Sequence, residues 1–248
     1  MNFLVHALDA TESTQAELGR LAAAGAPEGT VVTARHQHAG RGRRGRDWWD
    51  EPGQSLLCSV LLRPAATPAT VPQLSLVAGL AVAEALTAAA GVAARIRWPN
   101  DVLVEGGKVC GILAEATTDP SGASPVLMGI GVNLNQTQFP EALRARATSL
   151  RVATGRAQDG TLVLTAVLEH LASRYATWQR GGFAALRTAW LARSTVPGQA
   201  VRLPDGRVAE AVDVADDGVL LARAADGSVR RIVSATAVEE VTAHAARH

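Results

Sequence analysis

The ten residues from Gly40 to Trp49 combine residue types that bind anions. They read Gly-Arg-Gly-Arg-Arg-Gly-Arg-Asp-Trp-Trp, so four arginines and three glycines carry a net charge of +3. Each guanidinium presents a planar set of donors that matches carboxylate and phosphate oxygens. Glycine allows the backbone to approach a ligand closely. The composition predicts a mobile loop that holds an anionic group.

Three other interpretations of this loop compete with that one. The segment 40–45 matches the dinucleotide pattern G-x-G-x-x-G, but no helix-forming sequence follows, and no acidic residue stands near 61–64. Arginines beside aromatic residues also suit the phosphates and bases of nucleic acids. A solvated basic loop without any ligand is the third. The loop alone does not separate the last two from a small-molecule site.

Lys108 is the one lysine in the chain, and the other 23 of the 24 basic residues are arginines. This usage indicates that position 108 needs a compact ammonium group, which a guanidinium does not imitate. Chance survival of a single lysine is the alternative. The residues around Gly107 and Lys108 do not form a P-loop, because no glycine stands five residues before Gly107 and Val109 follows the lysine.

The hydrophobic pattern predicts a sheet accompanied by helices. Apolar and β-branched runs indicate strands at 4–8, 30–34, 54–62 and 126–135. The run 54–62 is continuously apolar, which is typical of a central, buried strand. Strong helix formers at 71–90 predict a helix that ends at Gly91. Helices are also expected at 16–24, capped by Thr11 or Ser13, within 139–154, from residue 161 and at 183–192.

Polar side chains interrupt the predicted sheet at three places. Residues 96–104 predict a strand interrupted at Pro99, with Asn100 and Asp101 in a kink or turn. Glu-Gly-Gly at 105–107 predicts a hairpin that brings Lys108 toward neighbouring strands. The last predicted strand carries glycines and Asn133, where a ligand or another backbone can approach closely.

The composition changes after Pro197. Alternating apolar residues are punctuated by Pro-Asp-Gly, Asp-Asp-Gly and Ala-Asp-Gly, which predict hairpins. We expect a small, barrel-like antiparallel β-domain over 196–241 that docks on the main domain, because about 45 residues do not form a sufficient core alone. The predicted domains are 1–195 and 196–248.

Composition limits the classes of function. A net charge of +1 argues against a surface built for nucleic acid or an anionic membrane, so any basic site is local. We see no apolar run of about 18 residues that would span a bilayer and no signal peptide. Cys58 and Cys110 lie in apolar runs, which predicts buried thiols and no disulfide. No His–Cys cluster has zinc spacing. A cytoplasmic protein fits these features.

Four blocks, in order, give the chain a resemblance to the biotin protein ligase family. They are Glu-Ser-Thr-Gln at 12–15, Gln-His-Ala-Gly-Arg-Gly-Arg-Arg-Gly-Arg-Asp-Trp at 37–48, Arg-Trp-Pro-Asn-Asp at 97–101 and Lys-Val-Cys-Gly-Ile-Leu at 108–113. Gly-Ile-Gly-Val-Asn at 129–133 is a weaker fifth block. The resemblance implies an α+β fold, with a mixed or antiparallel sheet flanked by helices like class II aminoacyl-tRNA synthetases, and a C-terminal SH3-like domain.

The resemblance also implies roles for individual residues. Catalytic roles fall on Arg43, Lys108 and Asp101. Contacts to biotin are implied for Ser13, Thr14, Gln15, Gln37, Gly40, Arg41, Gly42, Arg43, Lys108, Gly111 and Gly131. Contacts to ATP are implied for Arg46, Trp48, Asn100 and Asn133, with Trp48 or Trp49 facing adenine. No metal ligand is assigned.

The implied reaction has two steps. Biotin's carboxylate attacks the α-phosphate of ATP, with Mg²⁺ assisting, and gives biotinyl-AMP and pyrophosphate. A lysine of the biotin carboxyl carrier domain of a biotin-dependent carboxylase then displaces AMP. The resemblance further suggests a homodimer. Because the blocks begin almost at Met1, we expect no DNA-binding domain and no operator binding. We also expect the arginine loop to be disordered without ligand and to exclude water when closed.

The chain departs from the family pattern at three positions. Arg97 stands where lysine is usual, in keeping with the general use of arginine. Gln15 stands where asparagine is common. Cys110 replaces a small residue and predicts sensitivity to thiol reagents. Asp101 has two interpretations of equal weight, as the group that deprotonates the acceptor lysine or as a turn former.

Two other functions remain open from the residues. A lipoate or octanoate ligase of the related fold uses the same acyl-adenylate logic, although those relatives lack this arginine–glycine loop. A non-enzymatic nucleic-acid-binding module would use the loop but would not need Lys108.

Overall fold

The computed structural model describes residues 1–65, 70–117, 124–203 and 206–232, with the side chains of all of them except Arg44 and Arg202. The helices of this part are α1 Thr14–Ala23, α2 Val71–Ala90, α3 Glu141–Arg144, α4 Leu150–Thr154, α5 Gly160–Gly181 and α6 Arg187–Arg193. The strands are β1 Leu4–Thr11, β2 Thr30–Gln37, β3 Ser55–Leu62, β4 Arg95–Arg97, β5 Asp101–Val104, β6 Gly107–Ala116, β7 Val126–Asn133, β8 Gln199–Arg202, β9 Val208–Val214, β10 Leu220–Arg223 and β11 Val229–Ile232.

Seven strands form the main sheet in the order β1-β2-β3-β7-β6-β5-β4. The β1–β2 pair is parallel and the other neighbours are antiparallel, so the sheet is mixed. Every residue of β3 is buried, which confirms the prediction of a central strand from its unbroken apolar run. The α+β class is confirmed as well.

The two faces of the sheet are covered differently. On one face α2 and α5 pack together over β3, β6 and β7, through residues such as Cys58, Ile112 and Ile130. On the other face α1 covers only part of the sheet, with Leu18 and Ala22 against Leu61 and Leu127. The rest of that second face is left to the arginine loop, and it is there that the cavity described below lies.

The helix ends follow the predicted capping residues. Ser13 caps α1 and accepts a hydrogen bond from the backbone N–H of Gln15. Gly91 ends α2 with a φ of 73°, a left-handed conformation that glycine adopts at little cost. Helix α2 is long and apolar enough to cross a membrane, contrary to the sequence expectation, but 72% of its most apolar window is buried inside the fold.

Strands β8 to β11 form a second, four-stranded antiparallel sheet in the order β11-β10-β9-β8. Its apolar side joins the main core through Val201, Ala211 and Leu220. Trp98 donates its indole N–H to the carbonyl of Gly218 at 3.0 Å, and Arg187 donates to the carbonyl of Val214 at 2.6 Å. The small sheet therefore docks on the larger domain, as its size predicts. The remainder of the predicted β-domain, 233–248, lies outside the described residues.

Two sequence expectations need correction. Residues 96–104 were expected to form one interrupted strand, but β4 and β5 are separate antiparallel strands, with Arg97 paired to Asp101 across a turn that contains the cis Trp98–Pro99 bond. The single helix expected within 139–154 is two short ones, α3 and α4. The sequence pattern locates the break at Pro99 but does not give the direction of the chain after it, and it does not locate the break between α3 and α4.

Candidate active site

A cavity opens on the α1 face of the main sheet, and the start of α1 forms one wall of it. Ser13, Thr14 and Gln15 line this wall, and each is 3–5% exposed. They lie in the first turn because Ser13 is the helix cap. The capping hydroxyl therefore has a second consequence, since it turns the next two polar side chains toward the sheet.

Gln37, at the end of β2, lines the cavity with its amide in a fixed orientation. Its Oε1 accepts from the backbone N–H of Thr14 at 2.8 Å and from the Thr14 hydroxyl at 3.1 Å. A backbone N–H only donates, so the atom facing it is the oxygen. The Gln37 Nε2 consequently points away from Thr14, and an added Cβ at Gly40 would lie 3.1 Å from it.

Ser59 supports this arrangement from β3. Its Oγ lies 2.9 Å from the Thr14 Oγ1, and its side chain is completely buried. Because Thr14 donates its proton to Gln37, Ser59 donates to Thr14. The buried Thr14 and Ser59 and the half-buried Gln37 thus form a chain of hydrogen bonds that ends in the Gln37 amide.

Gln15 presents the opposite polarity. Its Nε2 donates to Glu115 Oε2 at 2.8 Å and lies 3.4 Å from the Leu127 carbonyl. Carbonyl and carboxylate oxygens only accept, so the Nε2 assignment is unambiguous. The Gln15 Oε1 is directed over Gly129, where an added Cβ would lie 2.3 Å from it. The cavity wall therefore carries one amide acceptor and one amide donor.

Two cations line the other end of the cavity, Arg43 and Lys108. A third, Arg41, lines it near the amide wall, beside Glu115. Arg43 donates to Asn100 Oδ1 at 2.8 Å. Asn100 in turn donates from Nδ2 to the Ile112 carbonyl at 2.9 Å, which turns its oxygen toward the arginine. Within the described residues the lining contains no carboxylate, so this end of the cavity attracts anions.

Asp101 sits behind Lys108. Its Oδ1 lies 2.6 Å from Lys108 Nζ, as an ion pair without the alignment of a good hydrogen bond. Its Oδ2 accepts from Arg97 at 2.7 Å. Burial raises the pKa of Asp101, but the charges of Lys108 and Arg97 outweigh this effect and keep the pKa below its usual value. A carboxylate held by two cations is a weak base, so the geometry favours a role in positioning Lys108.

The Trp48 ring lies over two glycines of the sheet, between the two ends of the cavity. These glycines form the floor of the cavity. Gly111 of β6 and Gly131 of β7 lie opposite each other, and an added Cβ at either would come within 2.8 Å of the Trp48 ring. The indole N–H of Trp48 is buried without a hydrogen-bond partner among the described residues, and Lys108 Nζ lies 5.8 Å from the ring centroid. With the indole here, the cavity volume is about 60 Å³.

Most residues predicted to bind ligands surround this cavity. Those that line it are Ser13, Thr14, Gln15, Gln37, Arg41, Gly42, Arg43, Trp48, Asn100, Lys108, Gly111 and Gly131. No ligand tests their individual roles, which remain predictions.

Four predicted residues do not line the cavity. Gly40 lies at the base of the loop, where its carbonyl accepts a hydrogen bond from the backbone N–H of Trp48 at 2.9 Å. Arg46 is exposed, and Asp101 lies behind Lys108. Asn133 donates to the Thr148 carbonyl at 2.9 Å and lies 3.4 Å from that of Lys108. These bonds occupy its Nδ2, and its Oδ1 lies 3.4 Å from the Gln136 Nε2. The predicted contact of Asn133 to ATP stays a prediction.

Two polar residues that contact the cavity residues were not predicted from the sequence, and both lie on strands of the main sheet. Ser59 is a polar residue inside an apolar strand, and that contrast was available in the sequence. Glu115 has no such local pattern. Cys110 is fully buried, and burial raises the pKa of its thiol; burial likewise raises the pKa of Cys58 to about 12. Both thiols are free, but the thiolate is the reactive form, so the expected sensitivity of Cys110 is not supported.

Comparisons with known proteins agree with this fold and site. The model of the Biotin/lipoate A/B protein ligase family matches residues 7–135, and that of the Biotin protein ligase C terminal domain matches residues 197–238. The chain is similar to biotin–[acetyl-CoA-carboxylase] ligase of Paracoccus denitrificans, with 40% identity over 242 residues, 92% of this chain and 97% of that protein.

Two further relatives extend the comparison. The Bifunctional ligase/repressor BirA of Bacillus subtilis is 37% identical over 232 residues, which cover 92% of this chain and 71% of that protein. The structure of biotin protein ligase from Aquifex aeolicus in complex with biotin and ATP superposes with a TM-score of 0.82 at 31% identity, covering 93% of this chain and 95% of that one.

The chain belongs to the biotin/lipoate A/B protein ligase family, which the fold and the first family model define. The C-terminal match and the named relatives narrow this class further. Within it, the chain groups with the biotin protein ligases.

Proposed function

We propose that this chain is an ATP-dependent ligase that activates biotin as biotinyl-5′-AMP and transfers it to a lysine of a biotin carboxyl carrier domain. The observation that carries the proposal is the cavity itself, which has the amides of Gln15 and Gln37 at one end and the cations Arg43 and Lys108 at the other. Biotin has the same division, with a cyclic urea at one end and a carboxylate at the other.

The polar wall favours biotin over lipoate. A urea carbonyl accepts from the Gln37 Nε2, and a urea N–H donates to the Gln15 Oε1. The dithiolane ring of lipoate offers neither group, so it would leave the Gln37 Nε2 and the Gln15 Oε1 without a ligand partner. A buried polar group that loses its partner costs about 1–3 kcal/mol, and sites built to hydrogen-bond a substrate reject analogues that lack the group.

The cationic end suits the chemistry of adenylation. The carboxylate oxygen of biotin forms a bond to the α-phosphorus of ATP while the bond to pyrophosphate breaks. Two anions must approach each other in this step, and Arg43 and Lys108 are placed to offset their repulsion and the charge of the pentavalent transition state. In the second step the acceptor lysine, as a free amine, forms a C–N bond to the acyl carbon and AMP leaves.

We expect Mg²⁺ to enter the site bound to the phosphates of ATP. Among the described residues, no three His, Cys, Asp or Glu side chains lie close enough to hold a metal ion. Mg²⁺ commonly binds through substrate phosphates with few protein ligands. No step above depends on the position of the ion.

The partner and the location are also part of the proposal. The acceptor is the biotin carboxyl carrier domain of a biotin-dependent carboxylase, in keeping with the names of the relatives. The exposed edge strand β1, where Leu4 and Val5 are 54% and 45% exposed, supports a homodimer joined at that edge. Two free, buried cysteines fit a cytoplasmic location.

The decisive experiment is ATP–pyrophosphate exchange with biotin, with lipoate and without an acid. We expect exchange with biotin alone, followed by loss of AMP and labelling of a purified carrier domain when that domain is added. Exchange with lipoate alone would move the chain to the other branch of the family. Absence of exchange with either acid would overturn the assignment of an acyl-adenylate ligase.

A further inference from the structure

Glu115 lies at the far end of β6, on the same face as Gly111 and Leu113, both of which line the cavity. It does not line the cavity itself, and its side chain is 38% exposed. Its carboxylate nevertheless contacts two residues that do. One oxygen accepts from the Gln15 Nε2 at 2.8 Å, and the other lies 3.6 Å from Arg41 Nη2.

The contact with Gln15 decides which end of the amide faces the ligand. The Leu127 carbonyl also accepts from the Gln15 Nε2, but at 3.4 Å, near the limit of a hydrogen bond. The bond to Glu115 is shorter and its acceptor is charged, so it is the stronger of the two. Without it, the amide is free to rotate by half a turn and present N–H where the substrate requires an oxygen.

The contact with Arg41 reaches the arginine loop. Arg41 also forms an isolated backbone bridge with Asp47, so it belongs to the body of the loop. A single carboxylate thus joins the amide wall of the cavity to the arginine loop.

We propose that Glu115 is a positioning residue that fixes the Gln15 amide as an acceptor and ties this orientation to the loop through Arg41. This inference rests on the proposed function. It adds that Glu115, by orienting the Gln15 amide oxygen, helps to select acids that carry a cyclic urea N–H. Glu115 acts through its neighbours and touches no substrate.

The test compares Glu115→Ala with Glu115→Gln. In E115A the Gln15 amide loses its partner, and the KM for biotin in pyrophosphate exchange should rise roughly tenfold, the effect of one lost hydrogen bond to a charged group. The kcat and the KM for ATP should stay within about threefold of wild type, since the cationic end is unchanged. In E115Q the new amide oxygen accepts from Gln15, so the KM for biotin should remain within about threefold of wild type.

Glu17→Ala is the matched control. Glu17 also bonds an arginine, Arg20, but on the exposed side of α1, so its removal should leave all three parameters unchanged. Titration calorimetry with biotin gives the dissociation constants independently of catalysis, and thermal unfolding checks that each variant is folded.

The outcomes separate the two proposals. A wild-type KM for biotin in E115A, or equal impairment in E115A and E115Q, would overturn the role of Glu115. Binding of biotin without exchange by the wild-type protein would overturn the proposed function alone, and the calorimetric comparison would still decide the role of Glu115. A wild-type protein that does not bind biotin would overturn both.

Discussion

Lys108 is surrounded in a way that explains why it is not an arginine. Its Nζ lies 2.6 Å from Asp101 Oδ1, and it would come within 3.1 Å of an added Cβ at Gly111. The ammonium therefore occupies a narrow gap between a carboxylate, a glycine and the Trp48 ring. A planar guanidinium is wider and does not fit the same contacts.

Replacing Lys108 by arginine should therefore keep the positive charge but slow the adenylation of biotin. We expect the rate of biotin-dependent pyrophosphate exchange in K108R to fall about 10²–10³-fold, the usual effect of removing one stabilising group from a transition state. Arg97→Lys is the matched control, because it exchanges the cation on the other side of the same carboxylate and should change the rate less than about threefold. Retention of more than about a tenth of the rate by K108R would contradict the assignment.

Asp101 should show its role through the pH dependence of stability. Its folded pKa is lowered, so its contribution to stability is complete above the unfolded pKa of about 3.9 and is lost as pH falls through the folded value. Asp101→Asn should destabilise the protein by roughly 2 kcal/mol near neutral pH, and the difference from wild type should shrink below about pH 4. Urea unfolding at neutral and acidic pH measures both values, and a difference independent of pH would contradict the role of the charge.

The same variant also separates the two interpretations of Asp101. If the carboxylate positions Lys108, adenylation and transfer both slow in D101N. If it deprotonates the acceptor lysine, adenylation is normal and transfer alone slows. The ion pairs lead us to expect the first result, measured by pyrophosphate exchange and by labelling of the carrier domain.

At the scale of elements, the facing glycines of β6 and β7 provide a floor without side chains. In Gly131→Ala the new Cβ would lie 2.6 Å from the Trp48 ring, and we expect this ring to shift because it belongs to the arginine loop. We expect a folded protein with its thermal midpoint within about 4 °C of wild type and a fall of at least about tenfold in exchange, because the methyl group takes ligand space.

Gly19→Ala in α1 is a suitable control for that variant. Its added Cβ meets only Leu127, at 3.4 Å, and alanine favours a helix by up to about 1 kcal/mol. Activity should be unchanged and stability slightly higher. Unchanged exchange in G131A would show that the floor is not part of the ligand space.

The elements also show how far the sequence predicts the structure. Helix α2 was predicted from 71–90 to Gly91 because helix formers and a glycine cap are local features, and it has those bounds. The antiparallel return at Pro99 was not predicted, because a local break does not state which way the next strand runs. The bonds of Asn133 to the carbonyls of Thr148 and Lys108 were not predicted, because they join residues far apart in the sequence. Glu115 was missed for the same reason.

At the scale of the whole molecule, the small C-terminal sheet supports the turn that carries Asn100. Trp98 is two residues before Asn100 and donates to the Gly218 carbonyl of the second sheet. Asn100 holds Arg43 at the cavity. The two sheets are thus linked by a short path of bonded residues that ends at the cationic part of the site.

Trp98→Phe should weaken this link while keeping an aromatic ring in place. The lost hydrogen bond should cost about 1 kcal/mol, or roughly 2–4 °C in thermal midpoint for a chain of this size, and raise the KM for ATP through the looser turn. Trp190→Phe is the control, because the Trp190 indole N–H is buried without a partner among the described residues. Calorimetric unfolding of both variants isolates the hydrogen bond, and equal shifts would contradict the link.

The indole of Trp48, which lies over Gly111 and Gly131, competes with biotin for space in the cavity. A volume of about 60 Å³ is far below the roughly 300–1,000 Å³ of pockets that take drug-sized ligands, so we expect the ring to move before biotin is fully bound. The measured affinity for biotin is then the intrinsic affinity multiplied by the fraction of molecules with the ring displaced. Any partner or second substrate that holds Trp48 elsewhere raises that fraction and tightens biotin binding without touching biotin.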